Sequence, residues 1–107
     1  MKYLIVFVTC SDAREAHRIA GVILRKKMAA CVNLIPGLTS FYFWKGKLTK
    51  SREILLLIKT THPCFKLLKE EILRLHSYEL PEIVAVNIQE GHRTYLEWLD
   101  KSTQSKI

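Results

Sequence analysis

The run Leu38-Thr39-Ser40-Phe41-Tyr42-Phe43-Trp44-Lys45-Gly46-Lys47-Leu48 constrains the fold of this chain more than any other segment. A β-strand sends alternate side chains to opposite faces, so four successive aromatics place two rings on each face. Each aromatic side chain carries about 150–250 Å² of surface, and large exposed apolar patches mark contact sites. A two-layer domain covers one face of such a strand. The second face needs another cover, and the expected one is a second copy of the chain. The segment therefore predicts an obligate oligomer whose functional site lies where the copies meet.

The chain has 107 residues, which fits one domain over residues 1–107 with a core that needs no staples. Apolar residues make up 49% and charged residues 25%, ordinary values for a soluble globular protein. No apolar run approaches the roughly 20 residues that cross a bilayer, so no membrane partner is expected. The run Tyr3-Leu4-Ile5-Val6-Phe7-Val8 behind Met1-Lys2 is too short for the apolar region of a secretion signal, no small-residue cleavage site follows it, and it reads as a strand. Cys10, Cys31 and Cys64 form no CxxC pair and leave one thiol over in any disulfide scheme. That pattern predicts a reducing, cytoplasmic setting. The net charge of +7 attracts anions at long range. Its basic residues are scattered, with no Arg-rich arm and no RNP, KH or zinc-finger signature, so nucleic acid is not an expected partner.

Residues 3–9 form a continuous β-rich run, the pattern of a strand buried on both faces. Asp12 with Glu15 resembles a capping box, and Ala16, Ile19, Ala20, Ile23 and Leu24 carry a helical period to about Met28. Gly21 inside that helix predicts close packing on the sheet. Residues 30–44 read as a second strand, bent at Pro36-Gly37 because proline cannot donate to the ladder. Lys45-Gly46 is a tight turn, and residues 47–60 return as a third strand. Thr61 is a candidate helix cap with Pro63 in the first turn; Phe65, Leu68, Ile72 and Leu75 then line one helical face as far as His76. A connector, Tyr78 to Glu82, leads to a fourth strand at Ile83–Ile88. Gly91 precedes a short helix carrying Tyr95, Trp98 and Leu99. Lys101 to Lys106 form a polar tail, expected to fray.

This order, β-α-β-β-α-β with a terminal helix, matches an α+β ferredoxin-like sandwich. That fold places the first and third strands at the centre, and these are the two most uniformly apolar runs. Hairpin arms of about 14 residues would reach roughly 45 Å at ~3.3 Å per residue, while a domain of this size has a radius of gyration near 13 Å. The hairpin tip is thus expected to overhang its own core and pair with a neighbour.

Several motifs, taken in order, are specific. Ala29-Ala30-Cys31-Val32-Asn33, Pro36-Gly37, Ser40-x-Tyr42-x-Trp44-x-Gly46-Lys47, Glu53, Ile58-Lys59-Thr60, His76-x-Tyr78-Glu79-x-Pro81-Glu82-Ile83 and Tyr95-Leu96-x-Trp98 resemble the CutA family of divalent-cation tolerance proteins over about residues 3–100. The resemblance implies a homotrimer of ferredoxin-like subunits with long inter-subunit hairpins, similar to the PII signalling proteins. It also implies an association with copper and other divalent cations, and no defined catalytic reaction. Cys10 and His76 match positions of the family's proposed copper site. That site uses a second histidine directly before His76, where this chain carries Leu75.

The soft groups available to copper, which prefers thiolate, imidazole and thioether, are Cys10, Cys31, Cys64, His17, His62, His76, His92, Met1 and Met28. No pair has zinc-finger spacing. His62 with Cys64 offers two ligands at a helix start, and Cys31 reads as core. The other reading of Cys10 is a half-buried small hydrophobe, and of His76 a favourable charge at a helix C-terminus. The resemblance groups Tyr42, Trp44, Glu53, Lys59, His76, Tyr78 and Glu82 along an inter-subunit cleft. Glu53 and Lys59 share one face of the third strand because their spacing is even. Such a cleft could hold a small ligand or metal, an anion in a PII-like sensor, or only a polar network that sets the trimer's register. Phe41, Phe43 and Trp98 are the expected trimer-interface anchors, and Tyr42 and Trp44 read as interface anchors more readily than as ligand contacts. His76 with Tyr78 or Glu82 could supply acid–base chemistry. No nucleophile elbow, P-loop or metal-hydrolase motif is present, and an enzyme is not expected. The remaining reading is a non-catalytic trimeric scaffold.

Overall fold

Alternation along the first strand sets the architecture. A computed structural model describes residues 3–103; the last residues of the polar tail lie outside them. In β1, Tyr3–Cys10, Leu4, Val6, Val8 and Cys10 are buried while Tyr3, Ile5 and Phe7 are half-buried. The expectation of burial on both faces is therefore not met within one chain: helices cover one face of the central strands, and the other is only partly covered.

Helix α1, Ala13–Arg25, begins where Asp12 Oδ1 accepts the Glu15 N–H at 2.8 Å. Only half of the expected capping box forms, because the Glu15 side chain turns inward to accept the Ser77 N–H at 2.6 Å. The helix stops before Met28. The Met28 N–H bonds Ile23 O and the Lys27 N–H bonds Leu24 O, and Lys27 takes φ 58, which together make a Schellman stop. Gly21 does not explain itself by packing on the sheet: a Cβ there would meet the Arg25 guanidinium at 3.2 Å.

Strands β2, Cys31–Trp44, and β3, Lys47–Thr61, are joined by Lys45 (φ 53) and Gly46 (φ 80). Positive φ at both central residues is the signature of a type I′ hairpin turn. A bulge between Ile35 and Leu38 falls at Pro36-Gly37, with Gly37 at φ 82. It reverses the parity of β2. Cys31 and Asn33 sit opposite Lys59 and Leu57, whereas Ser40, Tyr42 and Trp44 sit opposite Ser51, Thr49 and Lys47. The even-numbered residues beyond the bulge thus continue the face that odd-numbered residues occupy before it.

Thr61 is not a side-chain cap; its Oγ1 donates to Cys64 Sγ at 3.4 Å. A single 3₁₀ turn, His62–Cys64, precedes α2, Phe65–Leu75. After the connector come β4, Ile83–Ile88, and α3, Arg93–Lys101. The sheet is antiparallel with order β2-β3-β1-β4, so β1 and β3 are central as their composition predicts. Ala16, Ile19 and Ile23 of α1 and Leu68 and Ile72 of α2 pack with Val6, Val8, Leu56 and Ile58 into the core. The molecule measures 45 × 26 × 21 Å, in line with the reach expected of the hairpin.

Candidate functional site

Two groups of candidate residues converge, at opposite sides of the Thr9–Cys10 end of β1. The first is buried. Cys10 closes β1, Glu15 lies in the first turn of α1, and His76 follows the last residue of α2; one potential ligand atom from each lies within 4.8 Å of the others. The His76 ring is wholly buried, with Nδ1 at 3.7 Å from Glu15 Oε2. Nε2 donates to the Thr9 carbonyl at 2.8 Å, and Nδ1 accepts the Tyr78 N–H at 3.1 Å. A carbonyl only accepts and an amide N–H only donates, so these bonds select the neutral tautomer with its proton on Nε2. Burial, reinforced by the neighbouring Glu15, Asp12 and Glu53 carboxylates, pushes the Cys10 thiol up to about 12. Cys10 is fully buried, deeper than the half-buried position expected of it as a small hydrophobe.

The second group lines a cleft of about 780 Å³ with contributions from β2 (Ser40, Tyr42, Trp44), β3 (Glu53) and the connector (Tyr78, Glu82). Glu53 is its pivot. One carboxylate oxygen accepts from Ser40 Oγ and the other from the Tyr78 hydroxyl, each at 2.6 Å. Burial first, and then the hydrogen bond to Glu53, hold the Tyr78 phenol well above its ordinary value. Tyr42 and Ser51 hydroxyls pair at 2.8 Å, and the His76 and Tyr78 rings lie 4.7 Å apart, which links the two groups. The described lining carries Glu53, Glu79 and Glu82 but no lysine or arginine. This chemistry suits a cation better than an anion.

Lys59 does not join the cleft. It shares a face of β3 with Glu53, as its spacing predicts, but six residues separate them by about 20 Å, and its Nζ donates to Asn33 Oδ1 at 2.6 Å. Cys31 is not core. It is half-buried and interacts with Tyr95, whose phenol is raised by burial and then by Cys31. Cys64 is buried at the start of α2 while His62 is exposed, so the two do not form a surface pair. Phe41 and Phe43 are 66% and 72% exposed; Phe41 reaches the rim of the cleft, and Trp98 stacks on Tyr95 at 5.4 Å. Sequence reasoning missed Glu15 as a site residue. The only available signal was an acid in the first turn of a helix, which capping explains equally well.

A family profile described as CutA1 divalent ion tolerance protein matches residues 4–102. The chain is 46% identical over 99 residues to the divalent-cation tolerance protein CutA of Thermus thermophilus, covering 92% of this chain and 96% of that one. The solved structure of that organism's protein superposes with a TM-score of 0.93, over 95% of this chain and 99% of the other. The chloroplastic CutA 1 protein of Oryza sativa is 42% identical over 94% of this chain, which spans only 57% of that relative's length. The structure titled a periplasmic divalent cation tolerance protein, from Archaeoglobus fulgidus, matches at 35% identity over 95% of this chain and 99% of that one, with a TM-score of 0.92.

Proposed function

The chain belongs to the CutA divalent-cation tolerance family, and from that premise we propose that it is a homotrimeric divalent-cation tolerance protein that binds copper or a similar divalent ion. The observation that carries this reading is the meeting of Cys10 and His76, from β1 and the end of α2, in one buried cluster. A thiol and an imidazole at that spacing suit copper-like cations. Cys10 and His76 would hold the ion, with the Thr9 carbonyl orienting the imidazole in the way outer-shell acceptors orient metal-binding histidines. Binding requires the thiol proton to leave for solvent, because the thiolate is the ligand.

The trimer rests on separate support. The antiparallel strand order β2-β3-β1-β4 supports reading the subunit as ferredoxin-like and PII-like. Phe41, Phe43 and Leu48 are exposed at the hairpin, and the sheet face bearing Ile5 and Phe7 is only half-covered. A non-catalytic role in a reducing, cytoplasmic compartment is part of the same proposal; no described helix is long and apolar enough to cross a membrane. The acidic lining that one chain gives the cleft favours a cation there over the anion of a PII-like sensor.

Native mass spectrometry of the purified protein, first metal-free and then with stepwise copper(II), tests the proposal. A trimer that takes up a fixed number of ions per chain before nonspecific adducts form is the expected result. A trimer that stays bare overturns the metal reading, and a monomer overturns the assembly.

A further inference from the structure

Glu15 carries a feature that packing does not explain. It is 7% exposed, and its Oε1 is a buried oxygen with no hydrogen-bond partner among the described residues. Its Oε2 is anchored by the Ser77 N–H, which holds the carboxylate inside the molecule instead of at the helix cap. Buried polar atoms in native proteins are nearly always paired, and an exception asks for an ion, a ligand or a bound water. The two other groups here are a thiol and an imidazole whose tautomer leaves its lone pair on Nδ1, the nitrogen nearer Glu15.

We propose that Glu15 is the third protein ligand of this site, completing with Cys10 and His76 a sulfur–nitrogen–oxygen set for a borderline divalent cation of the zinc type. The proposal rests on the divalent-cation reading above and adds to it a ligand and a donor chemistry. Zinc bonds of about 2.3 Å to sulfur and 2.0–2.2 Å to nitrogen and oxygen place donors about 3.3–3.7 Å apart around a tetrahedral ion. Glu15 Oε2 and His76 Nδ1 already stand 3.7 Å apart, and the whole set lies within 4.8 Å. Closure on an ion therefore needs a movement of about an ångström, with the Tyr78 N–H released from Nδ1. Three ligands from β1, α1 and the end of α2 leave a fourth position for a small ligand, and the carboxylate neutralises one unit of charge that a buried imidazole could not.

Cobalt(II), a coloured stand-in for zinc, tests this in the wild type, Glu15→Gln, Cys10→Ser and the surface control Glu70→Gln. The wild type and the control are expected to develop a thiolate-to-cobalt charge-transfer band that zinc abolishes by displacement. Cys10→Ser should lose the band, and Glu15→Gln should bind cobalt at least about tenfold more weakly. Metal-free melting curves of the variants report whether each is folded. A crystal structure of the zinc-loaded wild type gives a reading free of any variant: a Zn–O distance to Glu15 of about 2.0–2.2 Å supports the assignment, and Glu15 outside coordination range overturns it. Equal cobalt affinity in folded Glu15→Gln and wild type also overturns the role of Glu15 while leaving the divalent-cation reading in place. Absence of uptake by the wild type with cobalt, zinc and copper(II) alike overturns both.

Discussion

Tyr78 donates to Glu53 at 2.6 Å, and Ser40 donates to the other oxygen of the same carboxylate. Glu53 is 5% exposed, so each bond matters more through the penalty of its loss than through its net strength. Tyr78→Phe keeps the ring beside His76 but leaves one buried carboxylate oxygen without its donor. We expect a loss of about 1–3 kcal/mol, read by urea unfolding; an unchanged midpoint would show that solvent already serves that oxygen. The pairing was not legible from spacing, because residues 25 apart in the chain meet only through the turn after α2. Glu15 was hidden for the same reason: its local context specifies a cap, and the contact with Ser77 spans 62 residues.

Elements carry their own tests. In α1, Gly21 faces the guanidinium of Arg25, an exposed and flexible neighbour. Gly21→Ala is expected to stabilise the fold by about 0.5–1 kcal/mol through helix propensity, since Arg25 can swing aside; destabilisation in a thermal melt would mean that Arg25 is held where it is. Helices α1 and α2 are also clasped by Glu71, which accepts from Lys26 at 2.9 Å and from Arg74. Hydrogen bonds from Arg74 and then Lys26 lower the Glu71 carboxyl from 4.5 to about 2. A depressed carboxylate contributes stability above its unfolded value and loses it as pH falls through its folded one. Stability should therefore decline from near pH 4.5 toward pH 2. Glu71→Gln should cost about 1 kcal/mol at neutral pH and flatten that decline, and parallel acid titrations of both proteins followed by circular dichroism would reveal an unchanged slope if the clasp is idle. At this scale the sequence was informative. The existence of β1, the bulge at Pro36-Gly37 and the turn at Lys45-Gly46 are all local chemistry, whereas the one-sided burial of β1 was not legible in its continuous apolar run. The end of α1 was misjudged because Lys27 replaces the glycine that usually marks a Schellman stop.

The whole molecule presents a hairpin too long for one core. Trp44 lies at its tip, 38% exposed and lining the cleft, with Phe43 and Leu48 bare on the other face. Trp44→Ala should weaken self-association by about 2–4 kcal/mol, as for a central aromatic anchor. Sedimentation velocity at low micromolar concentration should then show dissociated chains, and an unchanged mass would remove Trp44 from the proposed trimer interface. Periodicity, turn residues and apolar content determined the element order, the central strands and the overhang, since each depends on neighbours within a few positions. The family, too, was legible in motif order. Tertiary structure alone decided which polar groups meet. It joined Glu15 to His76, centred the cleft on Glu53 and Tyr78, and left Lys59 about 20 Å from Glu53 on a shared face. The physical reason is that strand parity gives only the side on which a residue lies, while the distance between partners depends on how far along the sheet the chain returns.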